Sequence, residues 1–80
     1  MTTLDQIPFG GRCAILEVDT TSESLLRLME MGLSIGAEVV VERTAPLNSP
    51  FSVRLPGCIL AVRREDAEKV IVLPLEALIG

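Results

Sequence analysis

Apolar and polar residues alternate with a period of two through most of this chain, and one segment switches to a helical period. Arg12 to Val18 predicts a first strand, with Ala14, Leu16 and Val18 on one face and Cys13, Ile15 and Glu17 on the other. Pro8, Gly10 and Gly11 punctuate the approach to it. Thr20 then offers a helix N-cap, with Glu23 three residues later completing a capping-box pattern. The helix is expected to reach about Met31, where Gly32 supplies a left-handed cap. Leu25, Leu28 and Met29 centre its apolar face, and Glu23, Arg27 and Glu30 its polar face. Leu26 and Met31 fall at the edges of the polar face, where a monomer favours charge.

From Ala37 the period returns to two. Val39 and Val41 alternate with Glu38 and Glu42, which predicts one buried and one wet face. Residues 45–50 (Ala-Pro-Leu-Asn-Ser-Pro) read as a turn cluster. Phe51, Val53 and Leu55 alternate with Ser52 and Arg54, and Pro56-Gly57 follows as a tight turn. Cys58 to Val62 is apolar at every position, the pattern of a strand covered on both sides. Arg63 to Lys69 is too charged for a strand interior and predicts a helical turn, leading into a last strand at Val70 to Leu73. About five short strands with one helix inserted after the first predict a mainly β fold, a small closed barrel filling residues 1–80 as one domain.

Composition narrows the function classes. The chain has 80 residues with a net charge of −4, and neither Tyr nor Trp. An acidic surface without stacking platforms disfavours nucleic acid, and disfavours anionic lipid as well. No apolar run approaches the roughly 20 residues that span a bilayer. The start shows no basic segment followed by an apolar one, so the expected location is the cytoplasm. Without His, imidazole-based acid–base and triad chemistry is unavailable, and Gly10-Gly11 lacks the spacing and following Lys of a phosphate loop. The expectation is a protein that is not an enzyme and carries no cofactor.

Three blocks, in order, resemble one family. Residues 26–39, with the Met31-Gly32-Leu33 exit and the Gly36 turn, resemble the helix and turn of FeoA proteins. Residues 43–47 (Arg-Thr-Ala-Pro-Leu) resemble the family's hairpin, and residues 60–67 its apolar strand, arginine and acidic turn. The chain has Ile35 where the family usually has Pro, and Asn48-Ser49-Pro50 where it tends to have Gly-Asp-Pro. The resemblance implies an SH3-like barrel working beside FeoB, the membrane ferrous-iron transporter with a cytosolic GTPase domain. It also implies recruitment to the inner membrane face through that partner. The barrel is similar, too, to the carboxy-terminal domain of diphtheria-toxin-repressor-type regulators, though no helix-turn-helix precedes it. Proline-rich peptide recognition, which needs an aromatic-lined groove, is not implied.

Candidate sites follow. Cys13 and Cys58 are weak candidates for metal ligands: two thiolates without His leave a tetrahedral site incomplete, and both lie in apolar strands where Cys is ordinarily a small core residue. Glu65, Asp66 and Glu68 could attract a divalent cation, but Arg63, Arg64 and Lys69 make a solvated turn the simpler reading. Leu26, Met31, Leu33, Pro46 and Leu47 are the candidate partner-binding residues, apolar side chains that such a barrel would leave partly exposed. Two alternatives stay open: a divalent-metal-binding regulatory barrel, and a self-associating scaffold built through strand edges or the helix face.

Overall fold

The structure, a computed structural model, describes residues 2–43 and 51–75. Its elements are β1 (Thr2–Thr3), a 3₁₀ turn (Leu4–Gln6), β2 (Arg12–Val18), α1 (Glu23–Glu30), β3 (Glu38–Arg43), β4 (Phe51–Leu55), β5 (Cys58–Val62), α2 (Arg64–Ala67) and β6 (Val70–Leu75). The strands form one sheet in the order β1-β6-β2-β3-β4-β5, with every neighbouring pair antiparallel. The sixth strand, β1, is two residues long and pairs Thr2 with Val72 and Thr3 with Ile71; its lack of a periodic run hid it from the sequence pattern.

One face of the sheet closes on a single core. Ile15, Val39, Val41, Val53, Leu60, Val62, Val70 and Val72 point inward, joined by Leu4, Ile7, Leu25, Leu33 and Ala67 from the connecting segments. Small branched side chains suit this narrow interior, since they fill a pleated surface in few rotamers.

Four readings need correction. Leu16 does not share a face with Val18: a β-bulge between Ile15 and Glu17 breaks the alternation, leaving Leu16 exposed while Val18 packs on the core. The helix N-cap is Ser22, not Thr20, because Asp19 takes the preceding turn by accepting from the Thr21 N–H at 3.0 Å and its hydroxyl at 2.6 Å. Those bonds hold the Asp19 carboxyl below its ordinary pKa. Ser52 is buried although it alternates with the inward Val53. Finally, β5 is covered on one face only: Leu60 and Val62 are buried while Cys58, Ile59 and Ala61 are exposed, and among the described residues β5 is also the last strand of the sheet. The turn cluster at 45–50 lies outside the described residues.

Candidate functional site

Helix α1 lies between two different anchors. At its N-terminus the Ser22 Oγ accepts the Leu25 N–H at 3.3 Å, satisfying one of the first-turn donors. The Ser24 hydroxyl donates to Asp66 Oδ2 at 2.7 Å and the Ser22 hydroxyl to Asp66 Oδ1 at 3.4 Å. Asp66 sits on α2 and is 5% exposed. This corrects the solvated-turn reading for Asp66: the carboxylate faces the helix N-terminus and accepts both hydroxyls. Glu65 and Glu68, by contrast, are exposed.

At the C-terminus the backbone closes a Schellman motif. Leu33 N–H reaches the Leu28 carbonyl at 2.9 Å and Gly32 N–H reaches Met29 at 3.1 Å, with Gly32 at φ 125°, where a side chain would be strained. The reversal drives Leu33 into the core at 0% exposed, which corrects the expectation that it is partly exposed. Met31 turns the other way and is 58% exposed. The Cys58 thiol lies 3.9 Å from the Met31 carbonyl, bringing the start of β5 against the helix exit.

The predicted partner residues therefore divide. Leu26 and Met31 are both exposed. At 3.6 residues per turn they stand about 140° apart around the axis, on opposite flanks of the helix rather than in one patch. Pro46 and Leu47 lie outside the described residues. Ile59 and Ile35, each 58% exposed, escaped sequence reasoning. For Ile59 the missing signal was which face of β5 is covered, which an all-apolar run does not encode.

The two cysteines occupy unlike environments. Cys13 is sealed in the core, where burial pushes its thiol up to about 11 and keeps it in the protonated form that does not ligate metal. Cys58 is exposed, against the expectation of a core residue, at the first position of β5 after the Pro56-Gly57 turn. Among the described residues no three Cys, Asp or Glu side chains converge in a group able to hold a metal ion, and no helix is long and apolar enough to cross a membrane. On the outer face Arg12 pairs with Glu38 at 3.2 Å and Arg54 with Glu42, so these charges are spoken for within the sheet.

Comparison with known proteins places this architecture. Residues 2–74 match the FeoA domain. The Fe(2+) transport protein A/Fe(2+) transporter FeoB fusion protein of Porphyromonas gingivalis is 32% identical over 67 residues, which is 84% of this chain and 8% of that protein. The solution structure of FeoA from Chlorobium tepidum superposes with a TM-score of 0.83 at 34% identity, covering 99% of this chain and 75% of the other. FeoA from Stenotrophomonas maltophilia, solved with zinc and described as an SH3 domain protein, superposes at 0.73 with 25% identity over 90% and 89% of the two chains. This chain therefore belongs to the FeoA family and has its SH3-like fold.

Proposed function

We propose that this chain is a non-catalytic cytoplasmic accessory of ferrous-iron uptake, which docks on a FeoB-type transporter and regulates it by contact. The observation that supports this is the fused relative, in which a transport protein A segment and a FeoB transporter share one polypeptide. Fusion replaces affinity with a high effective concentration; association without fusion has to come from a surface of the domain itself. Met31 is the centre of the proposed contact: a flexible apolar side chain, mostly in solvent, at a helix exit held rigid by backbone hydrogen bonds. Leu47 is proposed as a further contact on the strength of the sequence alone.

The test is binding of the full chain to the cytosolic domain of a FeoB-type transporter, read by titration calorimetry. The wild-type chain is expected to bind. Met31→Glu should weaken binding by about tenfold or more, since burying a Met side chain is worth roughly 1.5–3 kcal/mol. No binding by the wild-type chain refutes the docking reading, and equal binding by Met31→Glu moves the contact elsewhere.

A second reading, a barrel that binds a divalent cation, draws on the zinc bound to the Stenotrophomonas maltophilia relative. In this chain the exposed Cys58 is the one thiol open to a metal, and among the described residues no group of Cys, Asp or Glu completes a site around it. Anaerobic titration with zinc and with ferrous ion, in the wild-type chain and Cys58→Ser, separates this reading from the first.

A further inference from the structure

We infer that β5 is a self-association edge, through which two copies of this chain pair antiparallel about a two-fold axis at Leu60. The inference is independent of docking on a transporter.

The backbone geometry identifies the free groups. Strand β5 pairs with β4 as Leu55↔Cys58, Val53↔Leu60 and Phe51↔Val62. The two-residue Pro56-Gly57 turn, with Gly57 at φ 91°, makes Leu55–Cys58 a hydrogen-bonded pair, and such pairs recur at every second residue. Cys58, Leu60 and Val62 thus aim their N–H and C=O groups at β4. Ile59 and Ala61 aim theirs away from the sheet, and no described strand lies beyond β5. Both side chains are exposed, Ile59 at 58%.

Natural sheets protect such edges with Lys, Pro, bulges or very short strands. The opposite edge obeys this, since β1 has two residues. Strand β5 does not: Cys-Ile-Leu-Ala-Val carries no charge, no proline and no bulge. Among the described residues it is the one long apolar edge.

A second copy fits this edge better than an arbitrary strand does. In antiparallel pairing, the outward groups of Ile59 and Ala61 must meet outward groups of the same kind. Of the registers that allow this, only the one centred on Leu60 overlaps all five residues. It sets Ile59 opposite Ala61 of the partner subunit, a large side chain beside a small one, and completes four backbone hydrogen bonds. It also sets Arg63 opposite the partner's Gly57. The two copies of Arg63 then stand about 20 Å apart, at about 3.3 Å per residue, beyond the reach of screened repulsion. A register shifted by two toward the arginines would instead put Ile59 against Arg63 of the partner subunit.

A five-residue seam is small, so the expected dissociation constant is on the order of 100 μM. Sedimentation equilibrium of the full chain, from about 10 μM to about 1 mM, should show the mass rising toward that of a dimer. Ala61→Pro removes an outward N–H, leaving the ladder to β4 intact, and should abolish the rise while circular dichroism stays unchanged. Ile59→Lys, a substitution at an exposed side chain, should do the same should the proline variant misfold. In a Cys58→Ser background, Ile59→Cys mixed with Ala61→Cys should oxidise to a heterodimer that neither forms alone. A wild-type chain monomeric at about 1 mM overturns the proposal and leaves the edge to a strand of another protein. Dimers that survive Ile59→Lys, or cysteines that cross-link in any other pairing, overturn it equally.

Discussion

The two ends of helix α1 are fastened by opposite chemistry. The N-terminal end is tied by side chains: Ser22 and Ser24 share one buried carboxylate, Asp66, contributed by an element more than forty residues downstream. The C-terminal end is tied by backbone alone, through the Leu33 and Gly32 N–H groups, with a single apolar side chain, Leu33, as its plug. A polar tie specifies its partners and tolerates no neighbour in their place. A backbone tie leaves the side chain next to it, Met31, free to face solvent, which is where a contact surface can be placed without disturbing the fold.

The largest predicted effect tests the plug. Leu33→Glu places a carboxylate in a fully buried position without a partner, and a penalty of several kcal/mol is enough to unfold a domain of this size. Loss of the cooperative urea transition is the expected outcome. A folded Leu33→Glu chain would show that the helix exit is not anchored through this residue.

Next comes the polar tie. Asp66→Ala leaves the hydroxyls of Ser22 and Ser24 without their acceptor, and should lower stability by about 2 kcal/mol in urea denaturation. Ser22→Ala removes the cap itself and should lower it by about 1 kcal/mol. Because the two share one network, the double variant should lose less than the sum. Full additivity would mean that cap and carboxylate act separately.

A parallel contrast separates the cysteines. Burial raises the Cys13 thiol from 9.0 to about 11, so the folded chain holds that proton more tightly than the unfolded one. The stabilisation is complete below about pH 9 and is lost as pH rises toward about 11. The stability of the wild-type chain in urea denaturation should therefore fall across that window more steeply than that of Cys13→Ala. In native alkylation at neutral pH, Cys58 should react and Cys13 should remain protected.

These contrasts also mark what the sequence could disclose. The apolar face of α1, the strands at Glu38–Arg43 and Phe51–Leu55, and the Pro56-Gly57 turn were legible because each depends on neighbours within a few residues. Leu33 was legible too, though misjudged: an apolar residue directly after the capping glycine is the position that packs back in a Schellman motif. Asp66 was not legible. Its role depends on Ser24 across the fold, and a carboxylate among Arg64, Glu65 and Glu68 looks solvated by every local measure. The fate of β5 was hidden for the same reason: its apolar run does not say which face is covered or whether a further strand pairs beside it, since both depend on distant parts of the fold. Of the candidate contact residues, exposure at Leu26 and Met31 was anticipated, because their five-residue spacing already sets them at the edges of the polar face.

The smallest predicted effect on the fold is the most informative for function. Met31 is 58% exposed, so a substitution forfeits little burial, and its backbone N–H is held by the Arg27 and Leu28 carbonyls whatever its side chain. Met31→Glu should therefore shift stability by no more than about 0.5 kcal/mol in urea denaturation, the usual range for an exposed position. The new carboxylate lies at the negative end of the helix dipole, so any small shift should be destabilising and should shrink as salt is added. Set beside Leu33→Glu two residues away, the pair isolates the geometry of the exit: one substitution unfolds the chain and the other leaves it standing. A large stability loss at Met31 would mean that this side chain is part of the core, and the solvent-facing end of α1 would then have no apolar residue to offer a partner.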